Sequence, residues 1–162
     1  MITRHFQALI LAFTLSISLP TLADTIEGRV VGVSDGDTLT LLDASKTQIK
    51  IRLAAIDAPE KAMPFGQRSK EKLSDICFGK QASVNVVDAD RYGRTVGEIN
   101  CEGVNANEEM IKSGLAWVYR KYAKGYSHFY AFEDEAKAAK RGLWVDPNPV
   151  APWDWRKAKR SQ

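Results

Sequence analysis

The chain opens on a predominantly apolar run, residues 6–19, and only afterwards settles into alternation. Arg4 and His5 precede that run, and Pro20, Thr21, Leu22 and Ala23 follow it. A basic start, a short apolar stretch and a small-residue exit make the layout of a secretory signal. The run falls short of the roughly 20 residues that a membrane-spanning helix needs. Cleavage after Ala23 is therefore expected, in preference to a buried first helix, and residues 1–23 are set apart from the fold. Beyond them, residues 26–33 are rich in valine, and residues 38–42 form a second β-rich run. Ile49, Ile51 and Leu53 then alternate with Lys50 and Arg52, the period-two signature of a half-buried strand, after a hairpin turn over residues 43–46. The alternation turns Arg52 away from the face that Ile51 and Leu53 bury. Residues 64–76 read as a helix with Leu73, Ile76 and Cys77 on one side. Ala82, Val84 and Val86 mark a fourth strand, and a shorter fifth follows Arg94. Ala106, Met110 and Ile111 lead a second helix to Gly114. Phe129, Phe132, Ala136, Ala139 and Leu143 recur at helical spacing in a third. Pro147, Pro149 and Pro152 predict an irregular basic tail over residues 147–162.

Five short strands interrupted by one helix and followed by two more predict an α+β fold that is mainly β. The expected architecture over residues 24–146 is an OB-type five-stranded barrel decorated by three helices. Without the first 23 of its 162 residues the chain keeps 139, enough for one domain with one core. Only Arg4 among the 23 Lys and Arg lies in the removed segment, so 22 basic residues face 20 acidic ones. A net charge of about +2 permits nucleic-acid binding without demanding it. Basic residues gather at Arg120, Lys121 and Lys124 and again at Arg156, Lys157, Lys159 and Arg160, each of which also reads as ordinary solvated surface. Cys77 and Cys101 both lie in the exported part, where a disulfide is favoured. Closing a loop of about 25 residues stabilises a domain by roughly 3 kcal/mol on the chain-entropy model. A catalytic thiol is disfavoured because His128 is the only histidine left, and the same scarcity argues against structural zinc.

Three polar segments can carry chemistry. Asp35-Gly36-Asp37-Thr38 joins two strands, and Asp-Gly alone already signals a turn. Asp57-Ala58-Pro59-Glu60 follows the strand that holds Arg52, where an acidic helix start is ordinary. Asp88-Ala89-Asp90-Arg91-Tyr92-Gly93-Arg94 is a polar turn between strands. Taken singly each reads as structural, but together they propose a site. Asp37 and Asp57 supply hard oxygen ligands suited to calcium or magnesium. Arg52 and Arg94 supply planar, permanently charged forks that match phosphate oxygens. Glu60, close to Asp57, can accept a proton from water. A metal and two guanidiniums would neutralise the charge that develops on a phosphodiester under attack. The first segment is not an EF-hand loop, because Thr40 stands where the turn glycine belongs.

These blocks, read as Asp35-Gly36-Asp37-Thr38, residues 52–60 and residues 90–94, resemble the signature blocks of the thermonuclease (staphylococcal-nuclease-like) family. The similarity extends through Asn107, Gly114-Leu115-Ala116 and Trp144. The resemblance implies a calcium-dependent endonuclease acting on DNA and RNA, single strands favoured, and leaving 3′-phosphate and 5′-hydroxyl ends. It implies metal binding by Asp37, Asp57 and the backbone carbonyl of Ala58, with Asp35 behind them. Arg52 and Arg94 become the phosphate clamps and Glu60 the general base. Tyr92 and Tyr122 match aromatics of the nucleotide pocket, whereas Arg120 stands where another tyrosine is expected, beside Lys121. The family's best-known members carry threonine at the position of Ala58. An exported monomer, periplasmic or secreted, is the expectation. The competing reading is a non-catalytic single-stranded nucleic-acid-binding barrel with basic grooves and stacked aromatics. Such a module has no use for Asp37, Asp57 and Glu60, whose charges repel phosphate unless a cation intervenes.

Overall fold

The computed structural model describes residues 24–161, so the signal expected over residues 1–23 lies outside the described residues. In chain order the strands and helices are β1 (Thr25–Asp35), β2 (Thr38–Leu42), β3 (Gln48–Leu53), β4 (Ile56–Asp57), α1 (Gly66–Cys77), β5 (Gln81–Ala89), β6 (Thr95–Cys101), β7 (Val104–Asn105), α2 (Ala106–Lys112), β8 (Trp117–Val118), α3 (His128–Ala138) and α4 (Pro152–Arg160). The sheet runs β3-β2-β1-β5-β6-β7 with antiparallel neighbours, and β3 pairs with β6 in parallel. That last pairing joins the two ends of the five-stranded order and closes an OB-type barrel. Register shifts between Val30 and Gly32 and between Val33 and Asp35 bend β1, which serves both β2 and β5.

Alternation explains the core. Leu39, Leu41, Ile51, Val84 and Ile99 point inward and are fully buried, while the intervening polar residues face out. At the β3–β6 closure a Cβ on Gly97 would sit 2.5 Å from Val84 Cγ1 and 2.8 Å from the Asn85 carbonyl oxygen, so only glycine fits. Asn107 stitches the same corner from α2. Its carboxamide accepts from the Ile99 amide at 3.0 Å and donates to the Ala54 carbonyl at 2.9 Å. Cys77 of α1 and Cys101 of β6 form a disulfide, joining a helix to the barrel wall.

The structure departs from the sequence expectations at element ends. The fifth strand is not short, because Thr95–Cys101 spans 7 residues and pairs on both sides. The helix expected over residues 64–76 begins at Gly66, after Phe65 turns left-handed with φ 65°. The third stops at Ala138, and Gly142–Val145 is a separate 3-10 turn beyond left-handed Lys140. The tail expected to be irregular contains α4, a fourth α-helix in place of the three foreseen. Prolines forbid helix interiors, but Pro152 opens α4, where its missing N–H has no intrahelical partner to lose. Asp154 in the first turn and Lys157, Lys159 and Arg160 in the last complement the helix dipole.

Candidate active site

The site starts at the tight connection between β1 and β2. A Cβ on Gly36 would collide with Ser69 Oγ of α1 and lie 2.8 Å from Ala58 Cβ, so glycine lets the turn press against both. That closeness carries Asp37 to the 57–60 segment. Asp37 is 6 % exposed. Its Oδ2 accepts from the Ala58 amide at 2.8 Å, and its Oδ1 accepts from the Thr38 hydroxyl at 3.0 Å. Asp35 stands behind it, accepting from the Asp37 amide at 3.1 Å. Burial, and then the charge of Asp37, push the Asp35 carboxyl up to about 6.

Arg52 lies opposite Thr38 in the β2–β3 register, one residue from Asp37. Its guanidinium bridges two carboxylates, at 3.0 Å from Asp37 Oδ2 and 3.0 Å from Asp57 Oδ1, and donates to the Ile56 carbonyl at 3.0 Å. Asp57 is set by β4, which pairs with Trp117 and Val118 of β8. It is 1 % exposed, and burial raises its pKa against the opposing pull of its arginine partners.

A second guanidinium completes the cluster. Arg156 of α4 donates to Asp57 Oδ2 at 2.5 Å, to Asp57 Oδ1 at 3.3 Å and to Glu60 Oε1 at 2.6 Å. Burial works to lower its pKa, but the bonds to Asp57 and Glu60 outweigh it and raise the pKa further. Arg94 enters from the other side. Asp90 folds the 90–94 turn by accepting from the Tyr92 and Arg94 amides, and its Oδ2 pairs with Arg94 Nε at 2.7 Å. From there Arg94 reaches the Thr38 hydroxyl at 3.3 Å, which in turn donates to Asp37.

Asp35, Asp37, Arg52, Asp57, Ala58 and Glu60 thus lie in one connected cluster, with Arg94 joined through Thr38. The pocket candidates divide. Tyr92 is 70 % exposed and lies under the guanidiniums of Arg91 and Arg94. Arg120, Lys121 and Tyr122 share the 3-10 turn Arg120–Tyr122, and their partners are residues other than Asp37, Asp57 and Glu60. Arg120 meets buried Glu133 at 3.5 Å and the Tyr130 ring, and Lys121 lies over Tyr122. Tyr122 packs edge-on to Tyr119, which stacks on Trp153 of α4 with centroids 5.3 Å apart. In the sequence Arg156 stands out only as part of the basic cluster of the tail, not as a residue of the site. Its signal was a helix-opening proline followed by an acidic and then a basic turn, but nothing local ties it to Asp57, 99 residues away. Among the described residues, no three His, Cys, Asp or Glu side chains converge as a ready metal-holding group. Nor is any described helix long and apolar enough to cross a membrane.

The site is thus a cluster of buried carboxylates bridged by guanidiniums on an OB-type barrel. Residues 50–146 match the family described as Staphylococcal nuclease homologue, and the chain belongs to that family. It is similar to a micrococcal nuclease of Shigella flexneri, 38 % identical over 96 % of this chain and 94 % of the relative. An uncharacterized endonuclease of Haemophilus influenzae is 44 % identical over 82 % of this chain and 74 % of that protein. A probable staphylococcal-like nuclease of rice, CAN1, is 46 % identical over 69 % of this chain but only 34 % of its own length.

Proposed function

We propose that the protein is an exported, calcium-dependent endonuclease that hydrolyses phosphodiester bonds of DNA and RNA, single strands preferentially, leaving 3′-phosphate and 5′-hydroxyl ends. The observation that carries this reading is the shared hold of Arg52 on two almost fully buried carboxylates, Asp37 and Asp57, beside Glu60. A pure binding module gains nothing from burying negative charge where phosphate must approach, whereas a catalyst that recruits a cation there does. The donors are all oxygen, and the oxygens of Asp57 already lie against cationic groups, which is the chemistry a hard divalent ion fits. Asp37, Asp57 and the Ala58 carbonyl would hold calcium, with water completing its shell. Bound calcium would act as a Lewis acid toward a phosphoryl oxygen.

The chain's own groups divide the remaining work. Arg52 and Arg94 present guanidinium forks to the non-bridging oxygens, and their fixed charge gains most as negative charge builds at phosphorus. Arg94 is aimed by Asp90 and Thr38, so its fork is oriented before substrate arrives. Glu60, with its side chain 41 % exposed, takes the proton of the attacking water at its carboxylate. Asp35 fixes Asp37 through its backbone amide. Tyr92 offers an exposed ring for a base next to Arg94, and Tyr122 with Arg120 and Lys121 forms a second, more distant contact zone. The disulfide suits an oxidising compartment, the periplasm or the exterior, where calcium is plentiful. The test is incubation of the purified protein with single-stranded DNA in calcium or in excess chelator. Cleavage with calcium and none with chelator is expected, with products that accept labelling by a 5′-kinase without prior phosphatase. Intact substrate in every divalent cation would overturn the proposal.

A further inference from the structure

We propose that Arg156 is a tethered counterion that occupies the acid site until a divalent cation displaces it, so that α4 sets the cation concentration at which the site assembles. The inference rests on the metal role just proposed for Asp57, and it concerns a residue with no part in that reaction. Asp57 Oδ1 is taken by Arg52, and Oδ2 is held by Arg156 at 2.5 Å. A calcium ion binds carboxylate oxygen directly at about 2.3–2.6 Å, so it and the Arg156 guanidinium compete for one position. The bond from Arg156 to Glu60 Oε1, 2.6 Å long, ties up the group that must otherwise meet water. Four carboxylates, those of Asp35, Asp37, Asp57 and Glu60, gather around the guanidiniums of Arg52 and Arg156, so negative charge is in excess. Replacing the single charge of Arg156 by a divalent ion reduces that excess, so the exchange is favoured once the ion is abundant.

The mounting of Arg156 makes it displaceable. Among the described residues, the backbone hydrogen bonds of α4 stay within the helix and its flanking residues Ala151 and Ser161. What docks it is side chains. Trp153 stacks on Tyr119 and meets Trp117 edge-on at 5.7 Å, while Trp155 lines a small cleft with Pro59, Met63 and Trp117. Arg156 itself keeps 37 % of its side chain exposed, so the guanidinium can swing into water on a flexible stem. Arg52, by contrast, is 13 % exposed and bonded to the Leu53 and Ile56 carbonyls, so its position is held more firmly than that of Arg156.

A competitor that fills its site most of the time weakens the apparent affinity of the ion by the inverse of the open fraction. If Arg156 is in place about nine-tenths of the time, its removal tightens calcium binding about tenfold. The experiment is calorimetric titration of calcium into the full protein, wild type against Arg156→Gln, Arg156→Lys and Trp153→Ala. Arg156→Gln should bind about tenfold tighter and Arg156→Lys should fall between. Trp153→Ala, which keeps the guanidinium but loosens its mount, should also tighten binding. Equal or weaker binding in a folded Arg156→Gln overturns the proposal, as does the absence of calcium binding in every protein. If the variants fail to fold, the wild type decides. Its Arg156 Nε–Hε resonance should move on calcium addition, and an unmoved signal at saturation refutes displacement. Competition without cleavage would sink the nuclease reading alone, whereas cleavage without competition would sink this inference alone.

Discussion

Replacing Arg52 by glutamine removes the side chain that bridges the buried carboxylates of Asp37 and Asp57. The loss comprises ion pairs of 3.0 Å to Asp37 and 3.0 Å to Asp57, and hydrogen bonds to the Leu53 and Ile56 carbonyls. Breaking a buried pair by deleting one partner costs about 3–5 kcal/mol, because the other charge is left behind. The lower end applies here. Asp57 keeps Arg156, and Asp37 keeps the Ala58 amide and the Thr38 hydroxyl. A loss of about 3 kcal/mol corresponds to a Tm drop on the order of 10 °C for a domain of this size. Urea unfolding in chelator reads the stability directly, without a bound ion to mask it. A double variant, Arg52→Gln with Asp37→Asn, should recover part of the loss, since it removes a stranded charge as well as its partner. Turnover in calcium should fall about 10²-fold or more in Arg52→Gln, the usual effect of deleting a donor to developing charge. A stability change under about 1 kcal/mol would mean that water screens these pairs despite their burial, and the electrostatic account of the site would fail.

Two further outcomes follow from groups around this centre. Changing Cys77 and Cys101 together to serine opens the 24-residue separation and should cost about 3 kcal/mol in urea unfolding; a change below about 1 kcal/mol would show that α1 and β6 are held by packing alone. Asp35 is raised in the folded protein to about 6 from 3.8, so without calcium its contribution to stability is full below about pH 4 and is lost as pH rises through about 6. Asp35→Asn keeps the acceptor for the Asp37 amide, and should flatten that window and stabilise the calcium-free protein at neutral pH by at most about 3 kcal/mol. Parallel stability–pH curves for the two proteins would refute the assignment.

How far the sequence disclosed this site depended on how local each contact is. Asp37 and Arg52 were legible because one hairpin register brings them together, and period-two alternation reveals which residues share a face. Arg94 was legible because Asp90 folds its own turn within four residues. The barrel could be foreseen from strand count, but its closure could not. The parallel β3–β6 pair joins residues more than 40 apart, and the glycine that permits it, Gly97, sits in the strand that was underestimated. Asp57 could be named as a ligand candidate, yet its burial depends on β4 and β8, two-residue strands with no periodicity to detect. Arg156 lay furthest from view, since a proline-rich tail was read by its helix breakers rather than by where Pro152 stands in the helix.

The place of Arg156 bears on how the centre works. A carboxylate as buried as Asp57 must always be neutralised, by a proton, an arginine or a metal. Arg52 is shared with Asp37 and leaves Asp57 Oδ2 uncovered. Burial presses Asp57 toward protonation, and a protonated acid would be a poor ligand for calcium. A second arginine, on a flexible stem, keeps that carboxylate ionised while no metal is bound. The divalent ion then displaces a cationic side chain and has no proton to expel. Removing Arg156 should therefore do two opposing things: free the position for calcium, and let Asp57 protonate more readily. The tightening of calcium binding in Arg156→Gln should consequently be greatest at neutral or higher pH and shrink under acid. A gain that grew as pH fell would mean that Arg156 does not keep Asp57 ionised.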